Sequence, residues 1–407
     1  MIGGKTCQKC INIIKIVKEV LEKFKGKIIV VTGANGFIGC RLIELLSATN
    51  CEIRALVRNF GSSIRLARLP ISIVQGDILD KESIREYFKG VDYVFHCAYG
   101  SSGSSQMRRK IDIDGTRNVI ELSKEFNCKG LLFLSTISVY GLHGVGEVTE
   151  ETPYLKSSDD YVLNKRAVEQ LVTEHYLSSQ LPAVILQPTG VYGPWAKSYG
   201  LKQIKYFKLK YYALEKGVDG IANLVYVDDL VQAMLKSVVN TNAYGNKYII
   251  SGLEHIEWKE FFSAFESITG NRNYVEYSGD ELSKFYKMDQ RRPSFLKALL
   301  GSLTVKKKEI KNLRKYVIID FAINLFSRFS SKKLKKNLLS HSVEERSSNR
   351  NRVFLEGEIR QFYTTRSAAL SRKATKDFGY DPKFGFKQGF EILKNWYYWF
   401  SGQNSER

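Results

Sequence analysis

The hydrophobic positions of this chain switch between two rhythms. Lys27–Thr32, Glu52–Val57, Ile71–Gly76, Tyr93–Cys97, Gly130–Ser135 and Pro182–Gln187 are short runs of β-branched and aliphatic residues, and they predict strands. Between them, Phe37–Thr49, Lys81–Lys89, Met107–Phe126 and Asp160–Leu177 carry apolar residues at helical spacing. Strands that alternate with helices imply right-handed crossovers, so the pattern predicts an α/β fold with a doubly wound, Rossmann-type parallel sheet.

After about residue 190 the alternation loosens. Leu224–Asp229 predicts a strand whose acidic end caps a helix over Leu230–Val239. Tyr248–Ile250 predicts a further strand, Trp258–Thr269 a helix and Lys387–Phe400 an aromatic-rich terminal helix. The expected organisation is an N-terminal amphipathic extension (1–26), a dinucleotide-binding domain (27–190), a sheet-completing and substrate-binding region (191–282), a basic helical insertion (283–360) and the rest of a smaller C-terminal substrate-binding lobe (361–407).

Composition narrows the class. With 407 residues, 43% of them hydrophobic and 12% aromatic, the chain can fill a core and a second lobe. Six cysteines are too few for a disulfide scaffold and point to a reduced, cytoplasmic protein. Cys7 and Cys10 form a C-x-x-C with neither a second pair nor a well-spaced His, so two incidental thiols are expected and no metal. Cys10–Phe24 reads as a short amphipathic helix, not a secretion signal, and no run of eighteen uncharged apolar residues predicts a spanning helix.

The net charge of +20 is concentrated locally: residues 304–337 hold eleven Lys/Arg against two acids, a net of +9. Within that stretch Tyr316–Phe329 puts Val317, Phe321, Leu325 and Phe329 on one helical face between basic ends. This profile predicts peripheral contact with an anionic membrane surface, at its inner face, or a helix laid on the protein's own core. Nucleic acid is disfavoured, because the aromatics cluster instead of alternating with the basic residues.

The chemistry is concentrated in two motifs and one strand end. Gly33, Asn35, Gly36, Phe37, Ile38 and Gly39 follow the run Ile28–Val31 and open a helix, the arrangement that brings a dinucleotide pyrophosphate against backbone N–H groups at a helix N-terminus. Tyr161 and Lys165 stand four apart in a helical segment and share a face. An ammonium beside the phenol is expected to lower its pKa from about 10 and make Tyr161 a general acid/base. Thr136, at the carboxyl end of the fifth strand, lies on the side of the sheet where ligands bind and can hold a substrate oxygen. Arg58 ends the second strand where an NAD site expects an acid, so NADP is predicted, with NAD the alternative if Arg58 only stacks on adenine.

These motifs, with Gly76-Asp77-Ile78, Val94-Phe95-His96-Cys97-Ala98, Gly115-Thr116, Val139-Tyr140-Gly141, Gln187-Pro188, Val191-Tyr192-Gly193-Pro194 and Val227-Asp228-Asp229, resemble the extended short-chain dehydrogenase/reductases of the NAD-dependent epimerase/dehydratase family. The resemblance runs over about 27–282 and resumes from about residue 363. It implies a catalytic set of Thr136, Tyr161 and Lys165, an adenine flanked by Asp77 and Ile78, and a cofactor crevice lined by Cys97, Ala98 and Tyr99, with Pro188 nearby. It also implies hydride transfer between nicotinamide C4 and a secondary alcohol or ketone of a sugar-like or alicyclic small molecule, and a possible homodimer through Asp160–Leu177.

Departures sharpen the expectation. Asp112 stands where the family often has Asn, and Gln187 where it often has Arg, so the local polar network is altered. Ile137-Ser138 replaces the acidic pair of dehydratases, and Gly220–Leu224 lacks the Arg that nucleotide-sugar enzymes use on a diphosphate. Net oxidoreduction is thus favoured over a nucleotide-sugar epimerase proper. A non-catalytic NAD(P)-binding sensor or scaffold is the contrary reading, disfavoured because Tyr161 and Lys165 are both present.

Overall fold

Seven short strands form one fully parallel sheet, and their order accounts for most of the architecture. The computed structural model describes residues 19–179, 181–290, 352–354 and 357–402. The extension before residue 19, the Cys7/Cys10 pair and the basic segment 304–337 lie outside these residues. The described residues fall into two compact units, one within Met1–Gln203, Asp219–Phe261 and Gln361–Arg407, the other within Ile204–Val218 and Phe262–Arg360.

In the first unit the strands are β1 (Ile28–Thr32), β2 (Glu52–Val57), β3 (Ser72–Gln75), β4 (Tyr93–His96), β5 (Gly130–Leu134), β6 (Ala183–Pro188) and β7 (Lys247–Ile250). They lie side by side in the order β7-β6-β5-β4-β1-β2-β3. The chain winds outward from β1 in one direction, then from β4 in the other, which opens a crevice where β1 and β4 diverge. The helices that matter below are α1 (Phe37–Leu46), α2 (Lys81–Arg85), α3 (Ser105–Glu125), α4 (Asp160–Ser179), α5 (Val227–Val238) and α6 (Phe386–Ser401).

Strand alternation builds a core on each face of the sheet. Ile29 and Val31 of β1, Leu132 and Leu134 of β5, and Val184 and Leu186 of β6 meet Leu42 and Ile43 of α1 and Leu230, Val231 and Met234 of α5. Val30, Leu131, Phe133, Ala183 and Ile185 turn the other way, against Val119 and Ile120 of α3 and Val168 and Val172 of α4. At about 1.5–3 kcal/mol for each large aliphatic taken out of water, this two-sided burial explains why the central strands read as continuous hydrophobic runs.

The second unit carries a three-stranded parallel sheet with Tyr211–Glu215 between Tyr274–Tyr277 and Arg352–Phe354. Its aromatic cluster joins Phe207 to Phe262 and Phe265, each at 5.7 Å between ring centroids, and Tyr212 to Phe262 at 4.8 Å.

Two sequence expectations need correction. The helix over 258–269 divides into Trp258–Ala264 and Glu266–Thr269, because i→i+3 bonds from Phe265 N to Phe262 O and from Ile268 N to Phe265 O tighten the backbone at Phe265. The strand at 224 ends at Tyr226, and α5 begins at Val227, so Asp228 and Asp229 stand in its first turn and are not its caps. There they still favour the positive end of the helix. Among the described residues no helix is long and apolar enough to cross a membrane.

Candidate active site

Every parallel strand delivers its carboxyl end to the same side of the sheet, and the residues that follow β1 to β4 line one crevice of about 600 Å³. Gly33, Ala34, Asn35 and Gly36 follow β1, Arg58 and Asn59 follow β2, Gly76, Asp77 and Ile78 follow β3, and Cys97, Ala98 and Tyr99 follow β4.

The turn after β1 tolerates no side chains at two places. Gly33 has φ +66°, and a Cβ there would lie 2.6 Å from Ala98 N. A Cβ on Gly39 would lie 2.6 Å from Gly33 O, so α1 seats directly on the turn that precedes it. Asn35 donates from Nδ2 to Ser62 Oγ (2.8 Å) and leaves Oδ1 buried without a partner, an acceptor open to a ligand hydroxyl. A backbone cradle of this kind, at a helix N-terminus, fits a dinucleotide pyrophosphate.

Below the crevice, a histidine fixes the sheet. His96 is fully buried and joins Thr32 Oγ1 (2.7 Å) to Thr116 Oγ1 (2.9 Å), tying the end of β1 to α3. Burial, and secondarily the Lys165 charge, hold its pKa down to about 3, so the ring is neutral. Sequence reading gave His96 no role.

Next to the crevice, joined to it through Tyr99, stand Thr136, Tyr161 and Lys165. Thr136, just past β5, caps a short 3₁₀ turn, accepting from Ser138 N at 3.2 Å, and its side chain lies beside Tyr161. Lys165 is 5% exposed and donates to the Leu134 carbonyl at 2.8 Å. The ring of Tyr99 ties this group to the crevice it lines: Tyr161 meets it edge-on at 6.3 Å, and the Lys165 ammonium lies 5.7 Å from its centroid. Tyr161 and Lys165 therefore meet at one ring, with Thr136 beside Tyr161.

Their ionisation differs from the sequence expectation. Burial pushes the Tyr161 phenol up to about 12, only partly opposed by the Thr136 side chain, with the neighbouring Tyr99 and Asp112 adding to the rise. Lys165 does not lower it here, because its ammonium is directed to a carbonyl and is itself pushed down to about 8 by burial, with Asp112 and Glu169 acting against that fall.

A polar network supports Lys165, and most of it escaped the sequence reading. Asp112 accepts from Gly100 N (2.7 Å) and from Asn164 Nδ2 (3.0 Å), so the Asp that stands in place of Asn links β4's loop to α4. One turn beyond Lys165, buried Glu169 accepts from Ser135 Oγ, from Tyr154 Oη (2.6 Å) and from Gln187 Nε2 (2.9 Å). Gln187 in turn accepts from Tyr140 Oη (2.8 Å), and Lys247 donates to Tyr154 Oη (3.2 Å). The 161-165-169 spacing on one helix face was the available signal for Glu169.

Three other expected cofactor residues sit away from the crevice wall. Ile38 of α1 packs against the core, half-buried Phe37 opens that helix, and Pro188 is buried at the end of β6, paired with Ile250 of β7. Asp228 grips Arg41 through two bonds of 2.6 and 2.8 Å, and Asp229 accepts from Lys383 N and Phe384 N. The acidic pair thus fastens the scaffold.

Comparison with known proteins agrees with this arrangement. The family described as NAD dependent epimerase/dehydratase matches residues 29–251, more than half of the chain. "Sterol demethylase protein B" of Methylococcus capsulatus is 25% identical over 247 residues, 59% of this chain and 74% of that protein. "3beta-hydroxysteroid-dehydrogenase/decarboxylase isoform 1" of Arabidopsis thaliana is 28% identical over 277 residues, 61% of this chain and 62% of that protein. An epimerase structure from Methanothermobacter thermautotrophicus superposes with a TM-score of 0.66 at 15% identity, over 95% of this chain and 97% of that one. UDP-glucuronic acid 4-epimerase of Bacillus cereus in complex with NAD does so at 0.61 and 18% identity, over 91% and 99%. The structural likenesses show the shared fold.

Proposed function

The chain belongs to the NAD-dependent epimerase/dehydratase family, and from that premise we propose that it catalyses hydride transfer between a nicotinamide cofactor and a secondary alcohol or ketone of an alicyclic or sugar-like small molecule. The observation that carries this reading is the Tyr99 ring, which lines the crevice while touching both Tyr161 and Lys165. A dinucleotide held by the Gly33–Gly36 turn would lead directly to that pair.

The cofactor, when bound, supplies or accepts the hydride. The chain's residues do the rest: Thr136 and Tyr161 hold the reacting oxygen, and Lys165, held by the Leu134 carbonyl, brings its charge to the Tyr99 ring that also meets Tyr161. With its pKa raised to about 12, Tyr161 is protonated at neutral pH and suited to donate to a developing alkoxide. Arg58 at the crevice, with no acid between it and Ser62, supports NADP over NAD.

An alicyclic substrate is favoured over a nucleotide sugar. Asn223, beside the position where nucleotide-sugar enzymes carry Arg, donates to the Ser367 carbonyl (2.8 Å) and accepts from Ala369 N (2.8 Å), so its polar groups serve the backbone. The sterol-type names of the relatives point the same way. Self-association through α4 is supported by Leu163, 41% exposed, and Leu177, 70% exposed, four turns apart on nearly the same face. Glutamate at both positions should convert a dimer to a monomer by light scattering.

The deciding experiment follows NADPH oxidation by the full chain against a panel of cyclic ketones, with Tyr161→Phe beside it. The variant is expected to lose about 10²–10⁴-fold in kcat while binding NADPH as before. Equal turnover in the variant would remove Tyr161 from the chemistry.

A further inference from the structure

A second cleft, of about 590 Å³, opens elsewhere in the first unit, beside the far part of α1. Its walls are largely apolar, but three arginines reach it. Arg41 is committed to Asp228 and to Glu44 Oε2 (3.1 Å), whereas Arg65 and Arg68 share the single oxygen Glu44 Oε1 at 3.0 and 3.2 Å. Three guanidiniums thus face two carboxylates, and one positive charge has no counterpart among them.

The excess is felt at Arg65. Its side chain is 18% exposed, its guanidinium stacks 4.8 Å from the Trp195 ring, and its Nε is buried with no hydrogen-bond partner among the described residues. A second unpartnered donor lies against the same ring: Trp396 packs on Trp195 at 5.0 Å, and its Nε1 is likewise buried without a partner. Buried N–H groups are nearly always satisfied, so two orphan donors around one indole call for an acceptor. Trp195 is also held at φ +72°, a left-handed conformation that a bulky residue adopts only under constraint from its surroundings.

We propose that this cleft is a ligand site for an anionic amphiphile, whose carboxylate or phosphate head is received by Arg65 beside Trp195 and whose alkyl or acyl body lies along Leu45 and Ile392. An apolar recess with a few convergent donors is the usual form of a small-molecule site. The unspent donors are N–H groups only, which selects an oxyanion over a neutral hydroxyl or a cation. Arg68, 67% exposed, stands at the rim where a charged head would enter. The site is separate from the residues assigned to hydride transfer, so its test stands apart from theirs.

The test is calorimetric titration of the full chain, below the probe's micellar concentration, with dodecanoate, dodecyl phosphate, dodecanol and inorganic phosphate. Both charged amphiphiles, or one of them, should bind at least about tenfold more tightly than dodecanol, and inorganic phosphate alone should give no signal. Binding of dodecanoate only assigns a fatty-acid type of ligand, and of dodecyl phosphate only a phospholipid-like one. Arg65→Lys should weaken the preferred probe about tenfold by removing the Nε–H, and Ile392→Trp should abolish its binding by filling the body of the cleft. Dodecanol binding as tightly as the charged probes, the absence of binding by both, or parent-like binding in both variants would overturn the proposal. Should either variant misfold by circular dichroism, the head-group series on the parent chain decides alone.

Discussion

The crevice and the Tyr161 group beside it are made of different material. On the glycine side the wall is backbone: Gly33 abuts Ala98 N, α1 seats on Gly33 O, and the space exists because side chains are missing. Behind Tyr161 the material is buried polar side chain, with Lys165, Asp112, Glu169 and Gln187 each satisfied by partners from other elements. The first has no room to adapt, and the second can be retuned one group at a time. Substitution should therefore act on them unequally.

The largest effect is expected from Gly33→Ala. Its Cβ would meet backbone atoms that cannot yield, at a φ that L-residues avoid, so NADPH affinity should fall by at least about 100-fold, with a lowered Tm. Fluorescence titration with NADPH checks this. Unchanged affinity would mean that the cradle is not backbone-built.

Next in size is cofactor choice. Arg58→Asp should shift the proposed preference for NADPH towards NADH by about tenfold or more, since it would exchange a partner of the 2′-phosphate for a partner of the ribose hydroxyls. The ratio of kcat/KM for the two cofactors is the readout.

Behind Tyr161 the expected change is a shift, not a loss. Lys165 titrates near about 8, below its ordinary 10.5, and activity that needs its charge should fall as pH rises through about 8. Glu169 holds that value up, so Glu169→Gln should move the alkaline limb of the pH–rate profile to lower pH by about one unit. A profile that stays in place would make Glu169 a purely structural residue.

The smallest effect concerns stability in acid. Because His96 is held at about 3 in the fold and lies near 6.5 when unfolded, the unfolded chain binds the proton first as pH falls. Stability from this group is complete above about 6.5 and declines toward pH 3, which a Tm series against His96→Asn would isolate.

The same division explains what sequence could reveal. The glycine turn is local, strand to helix within a dozen residues, and so are Tyr161 and Lys165 on one helix face; all were legible from spacing. The Glu169 network was not, because its partners Ser135, Tyr154 and Gln187 are 34, 15 and 18 residues away and only sheet order brings them together. The phenol's pKa was misread for a related reason. Spacing places a lysine near a tyrosine, but burial and the Leu134 carbonyl decide where its charge is spent. Asp228 looked like a cap because helix boundaries are poorly marked by sequence, and its partner Arg41 is 187 residues away.

That last pair has a consequence for synthesis of the chain on a ribosome. The helix that seats the glycine turn emerges early, yet the carboxylate that grips Arg41 is translated 187 residues later, and the edge strand β7 later still. A nascent chain must therefore carry its nucleotide cradle unfastened through nearly half of its own elongation. Any fragment that stops before Asp228 would leave Arg41 without its bidentate anchor.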